Sequence, residues 1–239
     1  MIGVFDSGLG GLTVLDAIRA YAPKADIVYF GDTKNAPYGN KTREEVRALT
    51  IAGIQKLLDE GATQIVSACN SVSISLDSPI LDALSLDSDD VIEMVGPTVR
   101  ALKEKNETRI LLCATAITIA SGVYQERLTN IGKKVTELPL PLLVSYIESG
   151  KSREDIENLL QKHSREKDFS KQDLLLLGCT HFPLVEESFK KVFSLPVYNS
   201  ASAVAREVAA KFNCEGSGNV QYLFSKETNQ TKIYTKRTP

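Results

Sequence analysis

Two short stretches of this chain put reactive side chains side by side. In Gly178-Cys179-Thr180-His181 a thiol, a hydroxyl and an imidazole occupy consecutive positions. In Ala68-Cys69-Asn70-Ser71 a second thiol is followed by an amide and a hydroxyl. Such groups transfer protons or attack carbonyl carbons once a neighbour adjusts the thiol. Either cysteine taken alone has a second reading as a buried core residue, because free Cys is among the most buried residue types. The repetition favours chemistry: two similar units facing one another place one thiol on each side of a small ligand.

The elements that must position these groups follow from the flanking residues. Leu174-Leu175-Leu176-Leu177 is an uninterrupted apolar run ahead of Gly178, the pattern of a strand buried on both faces of a parallel sheet. Pro183 then suits the first turn of a helix. Gln64-Ile65-Val66-Ser67 precedes Cys69 in the same way. Both thiols therefore fall at carboxyl ends of strands, where open α/β sheets bind ligands. Further strands are predicted at 2–5, 27–30, 91–95, 109–113, 135–138, 195–198, 220–224 and 232–234. Helices are predicted from Leu12, from a Thr42–Glu45 capping box to about Glu60, from Ser78-Pro79, after Gly96-Pro97-Thr98, from about Ile119 to Ile131, before Gly150, after Ser152, and after Asn199-Ser200-Ala201. This alternation predicts an α/β fold with mainly parallel sheets. The two strand–Cys units, and the helix and tail left after the second, predict two similar α/β domains: 1–93 with 200–239, and 94–199.

Composition narrows the function. The chain has 239 residues, 28 Lys and Arg against 30 Asp and Glu, and a formal net charge of −2. Neither nucleic acid nor an anionic membrane is an expected partner. No apolar run has the length of a membrane span, and Met1-Ile2-Gly3-Val4-Phe5 enters a strand without a basic leader. Cys69, Cys113, Cys179 and Cys214 have neither zinc-site nor redox-pair spacing, so reduced thiols in a cytoplasmic protein and no metal are expected. Cys113 lies within a strand and reads as core.

Asp6-Ser7-Gly8-Leu9-Gly10-Gly11, with Asp32 after the next strand, superficially resembles a dinucleotide fingerprint. Thr13 occupies the place of the third glycine, and Asp6 sets a carboxylate where a pyrophosphate must lie. The match is therefore discounted. The loop 33–41 is rich in hydrogen-bonding groups and reads either as a ligand-binding segment or as an ordinary connection. Thr115 reads either as a ligand contact or as a helix cap.

Four blocks taken together carry a resemblance that spans almost the whole chain: Phe5-Asp6-Ser7-Gly8-Leu9-Gly10-Gly11-Leu12, Pro37-Tyr38-Gly39, Ala68-Cys69-Asn70 and Gly178-Cys179-Thr180-His181-Phe182-Pro183-Leu184. The set resembles the glutamate racemases of the aspartate/glutamate racemase superfamily. The resemblance implies two α/β domains related by a pseudo-twofold axis, with the active site in the cleft between them. It also implies cofactor-independent racemisation of an acidic amino acid, D-glutamate supply for peptidoglycan, and a homodimer. Cys69 is then the residue that takes the α-proton of D-glutamate, and Cys179 the residue that takes that of L-glutamate. Asp6 assists Cys69, His181 assists Cys179, and Glu148 stands near His181. Ser7, Tyr38, Gly39, Asn70, Ser71, Thr115, Thr118 and Thr180 hold the ammonium and carboxylates, together with Asp6 and His181. Ser71 stands where the family usually has threonine, and Asn199 where aspartate is frequent.

The implied chemistry is physically coherent. Removing a proton from one face of a carbon and returning one to the other requires two opposed groups. An unperturbed thiol, with a pKa of about 8.5, needs its neighbours to poise it. Imidazolium favours thiolate, whereas an ionised Asp6 opposes it and serves better by exchanging a proton. The alternatives are a racemase for aspartate or another acidic amino acid, a Cys–His hydrolase using Cys179, and a catalytically silent regulatory protein of the same fold. The hydrolase leaves Cys69-Asn70-Ser71 without a role.

Overall fold

The computed structural model describes residues 1–165, 168–229 and 231–232. Strand β1 (Ile2–Asp6) sends Ile2 and Val4 to one face of a sheet and Phe5 to the other. Helix α1 (Leu12–Tyr21) covers the first face. After β2 (Ile27–Gly31), helix α2 (Arg43–Asp59) covers the second. Its start is the predicted capping box: the Glu45 N–H donates to Thr42 Oγ1 (3.2 Å) and the Thr42 N–H donates to Glu45 Oε2 (2.8 Å). Then follow β3 (Gln64–Ser67), the short α3 (Asn70–Ser73) and α4 (Ser78–Ala83), a 3₁₀ turn at 88–90, and β4 (Val91–Ile92).

The strand expected over 91–95 stops at Ile92, and α5 (Val95–Lys103) begins early. The cause is local. The Glu93 carboxylate accepts from the backbone N–H groups of Val95 and Gly96, satisfying the first donors of the helix. Core membership changes sheet here: Met94 packs with β1, Val95 with the strands that follow. These begin with β5 (Arg109–Ala114). The single helix expected from about 119 is two, α6 (Ala116–Ser121) and α7 (Val123–Asn130), broken at Gly122 in the left-handed region (φ +71°). Next come β6 (Lys134–Pro139), α8 (Leu143–Glu148), α9 (Arg153–Ser164), β7 (Leu174–Gly178), α10 (Glu186–Phe193) and β8 (Val197–Asn199). Helix α11 (Ala201–Lys211) returns to pack with α1, and β9 (Val220–Phe224) pairs with β2. The strand expected over 232–234 is not seen where it can be judged: Lys232 is helical, and 233–239 lie outside the described residues.

Every described strand pairing is parallel, in two sheets ordered β4-β3-β1-β2-β9 and β6-β5-β7-β8. The leucine run alternates as a doubly covered strand must. Leu175 and Leu177 face α8, α9 and α10, while Leu174 and Leu176 face α5 and α7. The strand order changes direction between β1 and β3 in the first sheet and between β5 and β7 in the second. A crevice opens beyond the strand ends at such a point. Asp6 and Cys69 flank the first, and Thr115 and Cys179 flank the second. The two crevices face each other.

Candidate active site

Cys69 follows β3 in extended backbone and occupies the N-cap position of α3, 5% exposed. The Ala68 N–H donates to Phe5 O (2.8 Å) and Ser73 Oγ to Cys69 O (2.8 Å), so both neighbouring peptides are fixed. The thiol donates to Ser7 Oγ (3.3 Å). Burial pushes the thiol up to about 12, and the nearby Asp6 adds to the rise. Asp6 is fully buried. Its Oδ2 accepts from the Gly8 N–H (2.8 Å) and its Oδ1 from Thr180 Oγ1 of the facing sheet (3.3 Å). Desolvation raises the Asp6 carboxyl above its ordinary value; His181 and the bonds from Gly8 and Gly11 only partly oppose this.

Across the cleft, Cys179 stands immediately after β7, 7% exposed. His181 is also buried, and its Nε2 donates to Glu148 Oε1 at the end of α8 (2.9 Å). Burial disfavours the charged ring, but Cys179 and Glu148 outweigh that and push His181 up to about 10. A ring whose protonated form is favoured therefore stands beside one thiol, and a carboxyl whose protonated form is favoured beside the other.

The glycines of the first loop do something other than the sequence suggested. A Cβ at Gly8 would lie 2.9 Å from Glu148 Oε1, and one at Gly10 would meet His181 Nδ1 and Thr180 Oγ1. These positions are bare because the second sheet's His181 and Glu148 press directly on them. Thr13 Oγ1, at the start of α1, donates chiefly to the Gly10 carbonyl (2.8 Å) and reaches the Thr180 carbonyl at 3.3 Å across the seam.

Ser7, Tyr38, Gly39, Cys69, Asn70, Ser71, Thr115, Cys179, Thr180 and His181 converge on one narrow, nearly closed cleft, with Pro37 and Val144 completing its wall. Ser71 Oγ and Thr115 Oγ1 approach to 3.3 Å across it. Asn70 accepts at Oδ1 from the Tyr124 hydroxyl (2.6 Å), and its buried Nδ2 has no acceptor among the described residues. An unpaired buried donor at a cleft is costly unless a ligand accepts from it, and a carboxylate does so well. Three sequence-predicted residues stand behind the cleft wall. Asp6 is fully enclosed, Thr118 bonds Thr115 (3.0 Å), and Glu148 reaches the site through His181. Tyr38 lines the cleft, but its hydroxyl is committed to Asp32 (2.7 Å).

The family description Asp/Glu/Hydantoin racemase matches residues 2–208. The chain belongs to that family. It is 36% identical over 228 residues to the glutamate racemase of Aquifex aeolicus, covering 94% of this chain and 88% of that one. The solved glutamate racemase of Aquifex pyrophilus superposes with a TM-score of 0.83 at 31% identity, covering 98% of this chain and 93% of the other. A glutamate racemase isoform of Bacillus anthracis gives 0.86 at 28% identity, over 99% and 92%. These racemases are isomerases, and this chain has their two-sheet α/β architecture.

Sequence reasoning missed Tyr124, Asp32 and Val144. Tyr124 is 54 residues from its partner Asn70, and no local pattern links them. Asp32 was noticed only as a rejected ribose-binding acid.

Proposed function

We propose that this protein interconverts L- and D-glutamate by two-base proton transfer, with Cys69 and Cys179 serving opposite faces of the α-carbon. The observation that supports it best is the placing of one thiol at the reversal point of each sheet, both on a single small cleft. With D-glutamate bound, Cys69 as thiolate takes the α-proton while the Cys179 thiol delivers one to the other face. The roles exchange for L-glutamate. Asp6, its carboxyl raised by burial, takes the Cys69 proton before D-glutamate reacts; in the L-to-D direction it gives a proton to the Cys69 thiolate left once Cys69 has protonated the α-carbon. The substrate's incoming ammonium favours thiolate at this otherwise high-pKa site. His181, held by Glu148, supplies positive charge beside Cys179. Asn70 Nδ2, Ser71, Thr115 and Thr180 offer hydrogen bonds to the substrate's carboxylates and ammonium.

The chain's own groups complete both half-steps, so the reading requires no cofactor. It divides the chain into lobes 1–93 with 200–239 and 94–199. It also includes a cytoplasmic homodimer that supplies D-glutamate for peptidoglycan. Among the described residues no helix is long and apolar enough to cross a membrane.

The test is to incubate pure, dialysed protein with L-glutamate in deuterium oxide without added cofactor, with L-aspartate in a parallel sample. Loss of optical rotation with α-deuterium incorporation is expected for glutamate. Faster conversion of aspartate would reassign the substrate. Activity lost on chelation and restored by an added cofactor would overturn the two-thiol mechanism.

A further inference from the structure

Asp32 is the acid that the sequence presented as a ribose ligand and that the racemase chemistry leaves unused. It stands one residue beyond β2, 5% exposed, and does not line the cleft. Its oxygens accept from Asn35 Nδ2 (3.1 Å to Oδ1, 2.9 Å to Oδ2), the Tyr38 hydroxyl (2.7 Å to Oδ2) and the Ser225 hydroxyl (2.5 Å to Oδ1). Two of these donors belong to the loop 33–41. The third belongs to the segment after β9, nearly the whole chain length away.

The loop is the cleft wall. Pro37, Tyr38 and Gly39 line the cleft, and Gly39 presses on Thr115 so closely that a Cβ would lie 2.8 Å from Thr115 Cβ. On its outer side the loop is laced to the C-terminal segment. The Ser225 N–H donates to Gly31 O (3.2 Å) and the Lys34 N–H to Ser225 Oγ (2.9 Å). Thr33 Oγ1 donates to Lys226 O (2.5 Å) and accepts from the Lys226 N–H (3.1 Å). Among the described residues only Asp32 bonds both the cleft-lining Tyr38 and the outer segment.

We propose that Asp32 is a positioning residue for the substrate, acting through Tyr38, with Ser225 as its outer anchor. A loop already held in its binding geometry spares the substrate the cost of ordering it. The effect therefore falls on binding, while the thiols and their assistants keep their places. The inference rests on the racemase reading above.

The experiment measures steady-state racemisation of glutamate in both directions, with unfolding midpoints, for Asp32→Asn, Tyr38→Phe, the double variant and Ser225→Ala in the full chain. For Asp32→Asn, KM is expected to rise about tenfold in both directions, the size of one lost hydrogen bond to a charged group, with kcat within about threefold of the parent. The double variant is expected to be no worse than Asp32→Asn alone, because both changes break one link. Ser225→Ala is expected to raise KM about two- to threefold without moving the midpoint. Additive losses in the double variant, or a lowered midpoint with KM unchanged, would overturn the proposal. If Asp32→Asn fails to fold, the pair Tyr38→Phe and Ser225→Ala decides by the same test of additivity. A parent that does not racemise glutamate overturns both readings, whereas an active parent with unmoved variants overturns this one alone.

Discussion

The two thiols arrive by the same local construction and meet different surroundings. Each follows an apolar strand at the point where its sheet reverses direction. Cys69 then meets Ser7 and the fully enclosed Asp6, so burial and a carboxyl both hold it as a thiol. Cys179 meets His181, whose charge is sustained by Glu148, and the Glu148 side chain is 26% exposed. One thiol is thus backed by a carboxyl sealed from water, the other by a buried imidazole tied to a partly solvated glutamate side chain. A repeated fold unit supplies symmetry of position, and the residues one or two places further along supply the asymmetry of chemistry.

The largest effects are expected from removing either thiol. Cys69→Ser and Cys179→Ser should each lower racemisation in both directions by about 10³-fold or more, since a hydroxyl is a poor base near neutrality. An analogue that eliminates after proton abstraction alone should separate them. Cys179→Ser should process the D-form and Cys69→Ser the L-form. The same enantiomer preference in both variants would break the comparison.

Next come the assistants. Asp6→Asn and His181→Asn should each lower kcat by about 10²-fold. The equilibrium constant between enantiomers is one, so kcat/KM must stay equal in the two directions and cannot reveal which side was damaged. Kinetic isotope effects can. Those with α-deuterated D-glutamate should grow in Asp6→Asn, and those with α-deuterated L-glutamate in His181→Asn. Equal growth in both variants would mean that the assistants are not divided between the thiols.

A smaller effect is expected where the halves touch. Gly10→Ala forces a methyl against His181 and Thr180, at a cost of about 1–3 kcal/mol. Urea unfolding should show the loss, and the isotope effect should grow on the L-side only. An unchanged midpoint would mean that the second sheet does not press on this loop.

The gentlest effect is a slope. His181 has its folded pKa raised from 6.5 to about 10. Between those values the folded chain binds more protons at this ring than the unfolded chain, so stability falls as pH rises through the window. Cys69, raised from 9.0 to about 12, extends the fall upward with the same sign. His181→Gln should flatten the decline between pH 6.5 and 10, by at most about 1.4 kcal/mol per pH unit. An unchanged slope would show that the ring is not held charged.

Much of this arrangement was legible because it is local. Four leucines before Gly178, and the capping boxes of α2 and α9, depend on residues within a few positions of each other. The thiols' places at strand ends followed from the same patterns. What stayed hidden depends on the facing half of the molecule. Gly8 and Gly10 match part of a dinucleotide fingerprint in sequence, whereas their real constraint is His181 and Glu148 pressing on them from the facing sheet. Tyr124 gives no sign of its bond to Asn70, and Asp32 looks like a cofactor ligand when its distant partner Ser225 is out of view. The early start of α5 is a different failure. Glu93 caps it with a side chain that a strand pattern counts only as polar.

The order of the strands also bears on how the protein is made. The sheet carrying Cys179 uses one unbroken stretch, from β5 to β8, whereas the sheet carrying Asp6 and Cys69 takes its edge strand from residues 220–224 and its covering helix from 201–211. A chain emerging from the ribosome therefore has everything for the second sheet before it can finish the first. The sheet whose first strands are made earlier is the one completed last. Until then its β2 edge and the inner face of α1 lack their partners. Closing so long a loop is slow, and that interval is when this half is most exposed to misassociation.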